Sequence, residues 1–205
     1  MKTLSTAKTE LVRERVVAGA VAALKAGEVL TFGGVARHSG VPERTIYRHF
    51  ETREQLFAGV VTWLNRPFDR RTWPQTAEQA REFVARAFAM FNSNESVVRG
   101  LLIDPDSRNA RFADKAERQR AIIALVRHEC PGIRPAAARR VGAVVQLLMS
   151  TAAWQGFADY WAMDGVDGAA AAADAIDAVL AGARASTSRQ TGRRSTRAAG
   201  AQRKE

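Results

Sequence analysis

The chain has 205 residues, a formal net charge of +10, a sequence pI of about 10.9 and 46% hydrophobic residues. That length and apolar content allow one or two domains with real cores, and the basic balance favours a polyanionic partner, either nucleic acid or an anionic membrane surface. The single cysteine, Cys130, rules out an internal disulfide and fits a reducing cytoplasm; no run is long and apolar enough to span a bilayer, and the first eight residues lack the apolar core of a signal peptide.

Residues 1–8 read as a short mobile arm, whose Lys2 and Lys8 either touch phosphate or stay solvated. A helix is predicted over 9–25. Val16, Val17, Ala20, Val21 and Leu24 recur there at helical spacing, Arg13 and Arg15 fall off that face, and Gly27 stops it.

Residues 31–50 read as two short helices joined by a tight turn. Thr31 can cap the first by accepting a backbone N–H bond. Val35 and Ala36 face inward, and the small Ala36 lets the helices cross closely. Gly40 suits a turn that needs positive φ, and Pro42 suits the first position of the next helix. On that second helix Ile46 and Phe50 share one face, with Glu43 at its edge. Arg44 and Arg48 lie one turn apart on the opposite face, flanked by Thr45 and Tyr47. Such a face can meet base edges and phosphates together; a plain solvated basic surface is the alternative, and the turn spacing favours DNA. His49, near the edge of this helix, can donate to phosphate or cap the helix end.

A fourth helix is predicted over 53–65, with Thr52 as cap, Glu54 at its positive start, and Leu56, Phe57, Val60 and Leu64 buried. Together Thr31, Val35-Ala36, Ser39-Gly40-Val41, Thr45-Ile46-Tyr47, His49-Phe50, Arg53 and Leu56-Phe57 resemble the N-terminal DNA-binding domain of the TetR family of tetracycline-repressor-like regulators. Pro42 stands where the family has serine, Arg44 where it has glycine, and Arg53 where it has lysine. Arg44 puts a bulky cation where many relatives have none, so base preference is not carried over. With the outward face, the resemblance implies DNA contacts from Thr31, Arg44, Thr45, Tyr47, Arg48, His49 and Arg53. It also implies that helix 53–65 links the DNA-binding domain, residues 9–52, to a regulatory and dimerisation domain, residues 66–185.

Pro67 and Pro74 mark that boundary, and 66–74 reads as an ordered connector. Beyond it, helices are expected over 77–92, 95–103, 109–129, 136–163 and 169–183, with little strand signal. The fold class is therefore all-α. Trp63, Phe88, Phe91, Met149, Trp154 and Phe157 either pack as ordinary core or wall a cavity for a hydrophobic ligand, the use that the resemblance implies. The last two helices carry apolar residues on more than one side. Val144, Leu148, Thr151, Ala172, Ile176, Val179 and Leu180 are candidates for a homodimer interface, which in the resembled family is a four-helix bundle; a monomeric bundle is the alternative. Residues 186–205 are rich in Arg, Ser, Thr, Gly and Ala, without apolar period. They read as a disordered tail that either adds affinity for DNA or only solubilises.

No catalytic or metal-ligating constellation stands out. His38, His49 and His128 do not gather with Cys130 at metal spacing, and Gly33-Gly34 lacks the rest of a phosphate-cradling fingerprint. The reading is a cytoplasmic, non-enzymatic, cofactor-free homodimer that binds a palindromic double-stranded DNA operator and no membrane. It acts as a repressor released by a small apolar or aromatic effector. The rivals are a non-sensing architectural DNA-binding protein and an enzyme with an attached helix-turn-helix.

Overall fold

The computed structural model describes residues 4–68 and 73–201, and the side chains of 6–68 and 73–189. The expectations for the first three residues of the arm, for 69–72 of the connector and for the last four residues of the tail lie outside the described residues. In chain order the elements are α1 (Leu4–Lys25), α2 (Phe32–Ser39), α3 (Glu43–His49), α4 (Arg53–Leu64), α5 (Ala77–Ser93), α6 (Glu95–Ile103), a single 3₁₀ turn (Pro105–Ser107), α7 (Arg108–Arg111), α8 (Lys115–Glu129), α9 (Pro135–Leu148), α10 (Thr151–Trp161) and α11 (Gly165–Ala201). The fold is all-α, with no strand among the described residues.

The elements group into two compact units. One contains Met1–Arg71 with Asn94–Asp114; the other contains Thr72–Ser93 with Lys115–Glu205. This grouping divides the chain differently from the expected domain bounds. α4 is part of the first unit rather than a separate link, and α6, the 3₁₀ turn and α7 join it rather than the C-terminal domain. The reason is packing: α6 lies against α1, and a Cβ on Gly100 would stand 2.9 Å from Leu24 Cδ2.

In the first unit the apolar stripe of α1, namely Val16, Val17, Ala20, Val21, Ala23 and Leu24, is buried. So are Leu30, Val35, Ile46, Phe50, Leu56, Phe57 and Val60. Burying each of the larger side chains contributes about 1.5–3 kcal/mol. α1 and α2 meet at Gly19. An added Cβ there would come within 2.6 Å of Ser39 Cβ, 2.8 Å of Ser39 N and 2.9 Å of Ser39 Cα. This close approach joins α1 to α2; Ala36, expected to let α2 and α3 cross closely, is half-buried. Gly40 ends α2 at φ 67°, the left-handed conformation anticipated for it, and its N–H donates to the Ala36 carbonyl at 2.9 Å. Pro42 sits one position earlier than expected, as the N-cap of α3, where its carbonyl accepts from Thr45 and Ile46 N–H.

In the second unit α5 packs on α11, and α8 and α11 pack on α9. Val84, Ala87, Phe88 and Phe91 of α5 are buried, as are Ala169, Ala172, Ile176 and Leu180 of α11. Arg81 and Asp177 pair at 2.7 Å, while Glu129 accepts from the Ala77 N–H and the Arg184 guanidinium, each at 2.8 Å.

Four helix boundaries differ from expectation. α1 begins at Leu4, so residues 4–8 are helix and not arm. The helix expected over 109–129 is divided: α7 ends at Arg111, and α8 starts where the chain enters the second unit. The helix expected over 136–163 is α9 and α10, bent by 58°. Ser150 makes the break, its hydroxyl donating to the Leu147 carbonyl at 2.6 Å and accepting from Ala153 N–H at 3.4 Å. α11 starts early, capped by Asp164, whose carboxylate accepts from Val166 and Asp167 N–H at 2.8 and 2.9 Å. It then continues through Ala201, into the segment expected to be a disordered tail. Alanine and arginine are strong helix formers, and a helix already nucleated on a core extends at little cost.

Gly19→Ala separates two physical effects of opposite sign. In an open helix, alanine in place of glycine stabilises by about 1 kcal/mol. Against the Ser39 backbone it must instead force α1 and α2 apart, costing about 1–3 kcal/mol. We expect net destabilisation and a lower melting temperature by circular dichroism; a raised melting temperature would contradict the close approach.

Candidate nucleic-acid interface

The interface is built on α3, and α1 holds α3 from behind. Arg13 Nη1 donates to the His49 carbonyl at 2.6 Å, with its guanidinium 4.4 Å from the Phe50 ring centre. Arg15 Nε donates to the Ser39 carbonyl at 2.8 Å. The last turns of both α2 and α3 thus receive a cation from α1, where the helix dipole is negative and the carbonyls lack intrahelical partners. The sequence reading assigned neither arginine a role beyond lying off the apolar face. Between the two helices, the Ser39 hydroxyl accepts from Val41 N–H at 3.1 Å and holds the turn.

With Ile46 and Phe50 buried beneath it, α3 turns Arg44, Tyr47 and Arg48 outward. Neither Arg44 nor Arg48 has an ion-pair or hydrogen-bond partner among the described residues. Tyr47 is 46% exposed, and its ring stacks on Phe32 with centroids 4.1 Å apart and planes at 21°. Phe32, the first residue of α2, therefore fixes where the phenol hydroxyl points. Thr45 and His49 are half-buried at the rim of this face, and His49 offers its ring while its carbonyl is engaged by Arg13.

Thr31 caps α2 as anticipated, accepting from Gly34 N–H at 3.0 Å. It is exposed, and its hydroxyl proton remains available to a phosphate oxygen. The basic side chains of α2 are held differently from those of α3. Arg37 and His38 both meet Glu28, at 2.9 and 3.0 Å. The hydrogen bond with His38, joined by the charge of Arg37, lowers the Glu28 pKa, so this carboxylate stays ionised to lower pH.

Arg53 is engaged within its own unit. Expected to meet DNA, it donates from Nε to the Leu30 carbonyl at 2.9 Å, from Nη1 to Asp106 at 2.6 Å and from Nη2 to Asp104. A guanidinium committed to two carboxylates of its own unit is a clamp. The local charge of the trio is negative, which repels phosphate.

The remaining candidates lie elsewhere. Phe88, Phe91, Trp154 and Phe157 gather in the second unit, with ring centroids 5.8–6.4 Å apart in successive pairs. Trp154 Nε1 donates to Asn92 Oδ1 at 2.8 Å, and Met149 is buried. Trp63 lies in the first unit, half-buried, with the Lys25 ammonium 5.7 Å from its ring centre. Of the interface candidates, Ala172, Ile176 and Leu180 are fully buried within their own chain and cannot meet a partner. Val144 is 43% exposed and Leu147 is 56% exposed; Leu148, Thr151 and Val179 are half-buried.

A short helix wedged by its neighbours, with two arginines unpaired among the described residues and an oriented tyrosine facing out, has the arrangement of a helix-turn-helix reading helix. Residues 17–60 match the family model described as bacterial regulatory proteins, tetR family. That match identifies residues 17–60 as a TetR-type N-terminal domain and indicates a DNA-binding transcriptional regulator. No curated protein and no solved structure matches the chain.

Arg44→Ala and Tyr47→Phe are expected to part company. Loss of Arg44 removes a group that reaches base edges, costing about 1–3 kcal/mol and relaxing preference at one position. Tyr47→Phe keeps the stack on Phe32 and removes only the hydroxyl, so related sites weaken about equally. Affinities over a panel of single-base variants check both; an unchanged profile for Arg44→Ala removes Arg44 from base readout.

Proposed function

We propose that the chain is a homodimeric repressor that binds a palindromic operator in the cytoplasm and is released by a small apolar or aromatic ligand. The observation that carries the DNA half is the outward face of α3, with Arg44 and Arg48 unpartnered among the described residues. One such helix spans too few base pairs for a useful specific site. A two-fold pair, with helix centres about 34–36 Å apart, reads two half-sites on one face of DNA.

The exposed apolar residues of α9, Val144 and Leu147, support association of two copies. Side chains of this kind, left in water on a helix, favour burial against a partner surface. Val141, Leu148 and Val179 extend the same apolar character at the half-buried edges of α9 and α11. The aromatic cluster of Phe88, Phe91, Trp154 and Phe157, with Met149 as an adaptable wall, supports an apolar effector. Asn92, already the acceptor for Trp154, supplies a polar handle. Release requires that this effector bind the DNA-incompetent arrangement more tightly than the DNA-bound one.

Leu147→Glu tests the pairing. We expect a variant of unchanged helicity that sediments as a monomer and loses operator affinity. A dimeric Leu147→Glu protein with full affinity would remove α9 from the interface. For the effector, a screen of aromatic and apolar compounds is expected to yield one that both quenches tryptophan fluorescence and dissociates DNA. Quenching compounds that leave the DNA complex intact would favour the non-sensing architectural protein.

A further inference from the structure

Arg53 joins three segments of the first unit. Its Nε takes the carbonyl of Leu30, the residue before the cap of α2. Its two terminal nitrogens take Asp104 and Asp106, with the Asp106 contact at 2.6 Å. The Phe57 ring centre lies 5.6 Å from the guanidinium carbon. The acids are themselves held. Asp104 Oδ1 accepts from Asp106 N–H at 3.0 Å, and the buried Ser107 donates its hydroxyl to the Asp104 carbonyl at 2.9 Å. Arg111 Nε in turn donates to Ser107 Oγ at 3.0 Å, and Asn109 Nδ2 donates to Glu54 Oε1 on α4 at 2.9 Å.

We propose that the 3₁₀ turn carrying Asp104 and Asp106 positions the DNA-reading helices through Arg53. Operator affinity then depends on a stretch of chain well outside the matched residues 17–60. The inference rests on α3 as the reading helix and adds a positioning element to it. Leu30 and Thr31 set where α2 begins, and α3 is packed on α2 and tied to α1 through Arg13. Three acceptors in different directions require the planar fork of an arginine; a lysine ammonium on a flexible stem cannot reach all three at once. That demand gives a physical reason for arginine at a position where the resembled family uses lysine.

The experiment uses the full-length chain and a DNA duplex that the wild type selects from a random-sequence pool. Affinity and its salt dependence are measured below the melting transition of every variant, as followed by circular dichroism. For Arg53→Lys, and for Asp104→Asn combined with Asp106→Asn, we expect affinity to fall by about ten-fold or more, the equivalent of losing one good base contact. The slope of log affinity against log salt should stay as in the wild type, because no phosphate contact is lost. The milder single variant Asp106→Asn is expected to fall in between.

A direct phosphate role for Arg53 gives the opposite signs. Neutralising the two acids would free the cation and remove repulsion, so binding would tighten and the slope would steepen. Arg53→Lys would then bind like the wild type. Either result overturns the proposal, as does a loss of affinity that vanishes on cooling as the melted fraction falls. Failure of α3 as the reading helix would show separately, as a wild type that selects no common duplex.

Discussion

The DNA-reading helices depend on how α1 seats them. α3 is only Glu43–His49, too short to hold a helical conformation alone. It persists because Ile46 and Phe50 are buried, and because Arg13 and Arg15 neutralise the carbonyl ends of α3 and α2. Gly19 makes that seat possible. Without a Cβ, α1 comes close enough to Ser39 for Arg15 to reach its carbonyl. Steric contact thus sets the distance, buried surface supplies most of the energy, and the two charge-assisted bonds set direction.

From that seat the chemistry of the outer face follows. Phe32 belongs to α2, yet it orients Tyr47 on α3, so the phenol is placed by the same packing that fixes the turn. Glu28 engages Arg37 and His38 of α2, while Arg44 and Arg48 of α3 remain unpartnered among the described residues. Arg53 carries the order of this unit outward to the turn at Asp104 and Asp106. The family model covers residues 17–60, and the compact unit that holds the reading helices extends to Asn94–Asp114.

Much of the first unit was legible in the sequence, because local chemistry dictates it. Thr31 and Thr52 cap the helices they precede, Gly40 takes positive φ, and the apolar spacing of α1 marks its buried stripe. The arginine contacts were not legible. Arg13 and Arg15 reach carbonyls 36 and 24 residues away, and Arg53 reaches acids 53 and 51 residues away. No periodicity encodes such pairs. The C-terminal helices were harder for another reason. In α11 alanines occur all round, so the contrast between inner and outer faces is weak, and Ala172, Ile176 and Leu180 could not be told from an interface stripe. The break at Ser150 had a signal, a capping serine inside an apolar run, which the continuous hydrophobicity on either side obscured.

On the proposed reading, two copies of α3, each seated by its own α1, read one site together. Selection of bound fragments from the source genome, followed by cleavage footprinting of the selected sites, tests this pairing. One recurrent, two-fold symmetric sequence is expected, its half-site centres about one helical turn apart and protected on one face of the duplex. Fragments with no common sequence, or a single asymmetric site protected over one half only, would contradict it.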